Sequence, residues 1–116
     1  MIADDDEDLL FILKTQLASE GYTVYSCHNG NSIIKKLIVE KPNIVLLDIN
    51  MTGIEGDELC RQIKKDKRLS DIKVVIMSGK YDIEKISLSC GADGYISKPL
   101  SHLTVKNKIS NIFSEQ

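Results

Sequence analysis

The chain has 116 residues, 42% of them hydrophobic and 28% charged, with a formal net charge of −2 at pH 7, which allows one domain over 1–116 with a modest core and not two. No basic run is interleaved with aromatics and no apolar run approaches the length of a bilayer span, so direct nucleic-acid binding and membrane insertion are both disfavoured. Three scattered cysteines, Cys27, Cys60 and Cys90, fit reduced thiols in a cytoplasmic core better than a disulfide frame or a zinc site, and the acidic start is not a signal peptide.

Met1-Ile2-Ala3 reads as the end of a first strand that is short or truncated. Asp4-Asp5-Asp6-Glu7-Asp8 follows. Asp6 suits a helix N-cap, and Glu7 and Asp8 suit a first turn, where carboxylates meet free N–H groups and the positive end of the helix dipole. Leu10, Leu13 and Leu17 then share one helical face, and Gly21 ends the pattern. A β-rich run, Thr23 to Cys27, predicts the second strand. Ile33, Ile34, Leu37 and Ile38 predict the second helix, closed by Pro42-Asn43. Ile44 to Leu47 is a third strand, four apolar residues running straight into Asp48. Leu59, Cys60 and Ile63 mark a third helix, Lys73 to Met77 a fourth strand, and Ile83, Ile86 and Cys90 a fourth helix ending at Gly91. Gly94 to Ser97 is the fifth strand, Pro99 breaks the chain, and Val105, Ile109 and Ile112 mark the last helix.

Strand–helix alternation of this kind predicts an α/β fold, a parallel sheet with helices on both faces. The runs at 44–47 and 74–77 are apolar throughout, as strands buried on both faces require. Tyr25 and Tyr95 lie in more polar runs, expected at the edges. In such sheets ligands bind beyond the carboxyl ends of the strands, where the strand order reverses, so the residues that end each strand carry the functional question.

Each of those residues has an ordinary structural reading. Asp4 and Asp5 can belong to a solvated helix start, Asp48 can cap a loop, Ser78 can be a turn hydroxyl, and a lone Lys98 means nothing. Together they form a set. Asp4 and Asp5 are not needed for the cap that Asp6 supplies. A carboxylate at Asp48, after four apolar residues, is desolvated and its pKa rises unless a cation is near. If the three aspartates converge, a hard divalent cation relieves their repulsion. Mg²⁺ prefers a few carboxylates with backbone oxygens and water, and the Asn50 backbone carbonyl is a candidate further ligand. Ser78 offers a hydroxyl to an anion, and Lys98, directly before Pro99, a cation to Asp48 and to a phosphoryl oxygen. An X-Pro bond there is cis at modest cost.

The stretches "IADDDEDLLFILKTQLASEGY", "IVLLDINMTGIEGDEL", "VVIMSG" and "GADGYISKPL" resemble the successive signatures of the receiver domains of two-component response regulators, over essentially the whole chain. The resemblance implies a flavodoxin-like, doubly wound sheet of five parallel strands in the order 2-1-3-4-5 with five helices. It implies that Asp48 is the phospho-acceptor, that Asp4, Asp5, Asp48 and the Asn50 carbonyl hold Mg²⁺, that Ser78 and Lys98 bind the phosphoryl oxygens, that Ser78 and Tyr95 form the switch, and that Pro99 is a cis-proline. The implied partner is a sensor histidine kinase or histidine phosphotransfer protein in a bacterial cytoplasm, docking by the first helix. The implied output is a surface over 82–113 that is also a possible homodimer face. Thr52 departs from the family, which usually has proline there. Two other classes compete. One is a receiver-like interaction module that is never phosphorylated. The other is an aspartyl-nucleophile phosphatase, faintly matched by Asp48-Ile49-Asn50-Met51-Thr52 but with Asn50 in place of its general acid.

Overall fold

The computed structural model describes residues 1–51 and 53–114; the Thr52 departure therefore lies outside the described residues. Five strands, β1 (Ile2–Ala3), β2 (Ser26–Cys27), β3 (Ile44–Asp48), β4 (Lys73–Ser78) and β5 (Gly94–Ser97), alternate with five helices, α1 (Glu7–Ser19), α2 (Ile33–Glu40), α3 (Gly56–Lys65), α4 (Ile83–Cys90) and α5 (His102–Ser114). The strands are all parallel, in the order β2-β1-β3-β4-β5. This is the flavodoxin-like arrangement that the resemblance implied.

Strand periodicity of two sorts the core into layers. Ala3, Val45, Leu47, Val74 and Ile76 face the layer built from α2, α3 and α4. Ile2, Leu46, Val75, Met77 and Ile96 face the layer built from α1 and α5. Both faces of β3 and β4 are thus covered, which is why their sequences are apolar without alternation. The helical faces read from the sequence are the buried ones: Leu10, Leu13 and Leu17 on α1, Ile33 and Leu37 on α2, and Val105, Ile109 and Ile112 on α5. No described helix is long and apolar enough to cross a membrane.

Helix ends follow local chemistry. Asp6 Oδ1 accepts from the N–H groups of Asp8 and Leu9, both at 3.1 Å, so α1 starts where the cap requires. α4 stops at Gly91, whose φ of +79° is the left-handed conformation that glycine tolerates without a Cβ clash.

The second strand differs from expectation. Thr23 to Tyr25 is not part of β2, which holds only Ser26–Cys27. A strand exists through its partner, and β1 pairs with β2 only through Ile2 and Ala3. The β propensity of Thr23-Val24-Tyr25 is real, but little lies alongside for it to pair with.

The chain leaves β1 outward to β2 and then crosses back to β3 on the other side of β1. Loops after β1 and β3 therefore part in opposite directions and leave a crevice at their carboxyl ends. Asp4 and Asp48 stand on its two sides.

Candidate functional site

Asp4 directly follows β1, and its backbone N–H donates to the Cys27 carbonyl at 3.0 Å. That bond extends the β1–β2 ladder by one residue and fixes the carboxylate at the rim. Asp4 is only 1% exposed. One of its oxygens accepts the Asp6 N–H at 3.0 Å, and the other accepts Lys98 Nζ at 2.9 Å. Asp48 ends β3 and is 5% exposed. Its Oδ1 lies 3.3 Å from Lys98 Nζ and 3.4 Å from the Asn50 N–H. Asp5 projects into solvent beside them. One oxygen from each of Asp4, Asp5 and Asp48 can be chosen so that all lie within 4.8 Å of one another.

Asp4 and Asp48 share the ammonium of Lys98, and Asp5 brings a third carboxylate to the cluster. Burial is the main cause that raises the Asp48 pKa above its ordinary 3.8, and the neighbouring Asp4 charge adds to it. Attraction to Lys98 and the Asn50 N–H oppose the rise without cancelling it. Lys98 is affected in the other sense. Desolvation alone would lower its pKa, but hydrogen bonds and charge pairing with Asp4 and Asp48 outweigh that, and its pKa is raised above 10.5. Three carboxylates gathered this closely form an all-oxygen donor set that fits a hard divalent cation such as Mg²⁺.

Ser78 ends β4 and is 1% exposed. Its Oγ accepts the Lys80 N–H at 3.0 Å, and its carbonyl accepts the Lys98 N–H at 2.8 Å. The second bond continues the β4–β5 ladder and carries Lys98 to the rim. The Lys98–Pro99 peptide is cis. Tyr95 is set apart from this group. It pairs in register with Ile76, two positions behind Ser78, half-buried against the α2–α3–α4 layer, with Lys108 Nζ 5.4 Å from its ring centre. The structure thus gathers Asp4, Asp5, Asp48 and Lys98 into one cluster, with Ser78 on the same rim and Tyr95 one layer back.

Two residues at this rim escaped the sequence reading. Gly56, the first residue of α3, packs so tightly on the end of β3 that an added Cβ would fall 2.5 Å from the Asp48 carbonyl oxygen and 2.7 Å from Ile49 Cα. Its N–H donates to the Ile49 carbonyl at 2.9 Å. The glycine was visible in the motif, but a glycine after a strand has many uses, and this one needs the distance to the backbone. Gly56→Ala is expected to lower the unfolding free energy by about 2–3 kcal/mol, since backbone on both sides resists displacement. A chemical denaturation curve checks it, and a loss under ~0.5 kcal/mol would show that the contact relaxes freely. Lys80 acts on Ser78 through its backbone N–H, a role that no residue type announces.

A doubly wound parallel sheet with a buried acidic pocket and a lysine at its switch point defines the class. The family model for the response regulator receiver domain matches residues 1–110, and the chain belongs to that family. Solved structures agree. The chain is similar to a CheY-like response regulator receiver domain protein from Methanospirillum hungatei JF-1, at 31% identity and a TM-score of 0.87, covering 98% of this chain and 91% of that one. It is similar to the receiver domain of a signal transduction histidine kinase from Syntrophus aciditrophicus, at 27% identity and a TM-score of 0.86, over 98% and 88% of the two chains. The chemotaxis response regulator CheY4 of Vibrio cholerae shares the fold at 18% identity and a TM-score of 0.88, over 96% and 94%.

Proposed function

We propose that residues 1–116 act as one phospho-acceptor receiver, in which Asp48 takes a phosphoryl group from the phosphohistidine of a sensor histidine kinase or histidine phosphotransfer protein in a bacterial cytoplasm. The observation that carries this is a nearly buried carboxylate at the switch point, held 3.3 Å from a lysine that also pairs with Asp4. A structural aspartate has no need of that lysine, that acidic neighbour and that burial together.

In the transfer, an Asp48 carboxylate oxygen forms a bond to phosphorus as the phosphorus–nitrogen bond to the histidine breaks, and the ring nitrogen keeps the electron pair. The step requires position and charge neutralisation more than covalent assistance from the protein. Asp48 must be ionised, and Lys98 favours that state against burial and Asp4. Lys98 is also the cation within reach of a phosphoryl oxygen on Asp48. Asp4, Asp5, Asp48 and the Asn50 carbonyl would hold Mg²⁺, which when bound neutralises phosphoryl charge. Hydrolysis of the acyl phosphate would reset the site, the only turnover this reading includes.

The signal leaves through Ser78. Its hydroxyl accepts the Lys80 N–H, and its own proton remains to be donated to a phosphoryl oxygen. Movement toward that oxygen pulls the Lys80 backbone with it and shifts the loop into α4. Tyr95 follows, and the surface of α4, β5 and α5, with Leu88 and Leu103 exposed on it, changes its binding partners or pairs with a second copy. α1 is the docking surface for the phosphoryl donor.

The test is intact mass after incubation with acetyl phosphate, with and without Mg²⁺. A Mg²⁺-dependent gain of one phosphoryl group, absent in Asp48→Ala, supports the reading. No gain in a folded protein that binds Mg²⁺ favours the unphosphorylated interaction module. For the switch, a non-transferable phosphoryl analogue is expected to move amide NMR signals across 83–97 and 102–113. Shifts confined to residues touching the analogue would end the switch proposal.

A further inference from the structure

Two of the three cysteines meet where α3 packs against α4. Cys60 lies in the middle of α3, and Cys90 is the last residue of α4. Both belong to the core layer built from α2, α3 and α4. Cys60 is 0% exposed and Cys90 3%. The Cys60 thiol donates to the Cys90 carbonyl at 3.4 Å, and the Cys90 thiol donates to the Ser87 carbonyl at 3.5 Å. Burial is the main cause that raises the Cys60 pKa above its ordinary 9.0, and the nearby Cys90 thiol is the next. A thiol in a core is ordinarily a small apolar filler. Filling explains each burial, but it does not call for two sulfurs on facing helices to meet.

A clamp beside the pair holds both of its carriers in place. Lys64, one turn after Cys60, reaches the Asp93 carboxylate at 2.6 Å and the Ile72 carbonyl at 3.0 Å. Asp93, three residues after Cys90, also accepts the Val74 N–H at 2.8 Å. The end of α3 is thus tied to the segment that leaves α4, which gives each sulfur a high effective concentration of the other. Access comes from α4. This helix has eight residues and closes on Gly91 in the left-handed conformation, and the last turn of a short helix opens at far less cost than the sheet. Cys27 stands apart from the pair. Its thiol donates to the Asn29 carbonyl at 3.3 Å and lies 3.3 Å from the Ser32 hydroxyl, on the strand at the opposite edge of the sheet from β5.

We propose that Cys60 and Cys90 form an oxidation site, which hydrogen peroxide closes to a disulfide that fastens the end of α4 to α3. Opening of the last turn of α4 exposes Cys90 first. Its thiolate sulfur attacks one peroxide oxygen, the O–O bond breaks, and the departing hydroxide leaves as water with the thiol's proton. The sulfenic acid so formed returns to Cys60. The Cys60 sulfur attacks the Cys90 sulfur, the S–O bond breaks, and hydroxide leaves as water with the Cys60 proton. Two thiols are oxidised by two electrons, and the peroxide is reduced to two waters. Cys60 is the poorer first nucleophile, because burial keeps it protonated. In the second step the sulfur it attacks is held against it. The proposal does not depend on phosphorylation.

The test treats the folded chain with hydrogen peroxide, quenches with catalase, and alkylates with iodoacetamide in denaturant. Intact mass and a peptide map are read on the parent, on Cys27→Ser and on Cys90→Ser. The parent is expected to lose two hydrogens, to keep one alkylatable thiol at Cys27, and to yield a peptide linking Cys60 to Cys90. Cys27→Ser should lose the same two hydrogens, and Cys90→Ser none. Amide exchange is then read at Ala92, whose N–H donates to the Ser87 carbonyl at 3.1 Å. In the parent it should slow at least about tenfold on oxidation and recover with dithiothreitol. Three alkylatable thiols after treatment would overturn the proposal. So would added oxygen at Cys90 with Cys60 left free, a link through Cys27, or a disulfide that leaves exchange at Ala92 unchanged.

Discussion

Asp48→Asn is expected to take up no phosphoryl group and to be more stable than the parent chain. The first half follows from the nucleophile, since an amide oxygen does not form an acyl phosphate. The second half follows from the charge. Burial and the Asp4 carboxylate hold the Asp48 pKa above 3.8 in the folded state, so between the unfolded and folded values the native protein binds the extra proton. Stability then falls as pH rises through that window, and at neutral pH the ionised Asp48 works against the fold. Asparagine keeps the shape and removes the charge. A gain of about 1 kcal/mol at pH 7, or roughly 5 °C in melting temperature, is the expected size. It should vanish below about pH 4, where the parent aspartate is protonated in both states. Paired thermal melts at pH 7 and pH 3.5 measure it. Equal stability of the two chains at pH 7 would mean that Lys98 balances the site fully, and that burial and Asp4 leave no net charge penalty on Asp48.

Lys98→Met should have the opposite effect on stability and the same effect on chemistry. The methionine keeps an unbranched stem and loses the cation that Asp4 and Asp48 share among the described residues. Removing one member of a buried ionic group is more costly than the group itself is stabilising, and about 3 kcal/mol is expected at pH 7. The sign against pH is fixed by the raised pKa of Lys98. Its contribution is fully present below its unfolded value of 10.5 and is lost as pH rises through the higher folded value. Labelling by acetyl phosphate should slow by about 100-fold, as for loss of one preorganised charge at a phosphoryl group. Combining Lys98→Met with Asp48→Asn separates the causes. If the lysine acts through the carboxylates, the double variant should recover clearly more of the single variant's loss than Asp48→Asn gains by itself, about 2 kcal/mol in place of about 1. A recovery equal to the gain of Asp48→Asn alone would be additive and would assign Lys98 a packing role only.

How much of the fold and site was legible in the residues differs from element to element. Apolar runs at 44–47 and 74–77 announced central strands because a strand covered on both faces leaves no place for a polar side chain. Leu10, Leu13 and Leu17 announced α1 because burial on one face repeats with the helical turn. Asp6 announced its own cap. Residues at the strand ends were legible only as a set, since each of Asp4, Asp48, Ser78 and Lys98 stands at or just after the end of a strand and alone has an ordinary structural reading. The extent of β2 was not legible. Thr23-Val24-Tyr25 has the composition of a strand, but pairing is a property of two segments, and the length of β1 decided it.

Sequence alone determined the alternation of strand and helix, the faces that are buried and the residue types at the rim, because these depend on local periodicity and on the cost of burying charge. Tertiary structure decided what those residues do to one another. Asp4 and Lys98 are 94 positions apart in the chain and 2.9 Å apart in the fold. Only the strand order places them on one crevice, and only that closeness makes the pKa values of Asp48 and Lys98 interdependent. Gly56 and the Lys80 N–H are likewise products of the assembled sheet. Their contributions are a distance to backbone and a backbone hydrogen bond, and such quantities come into being when the sheet forms.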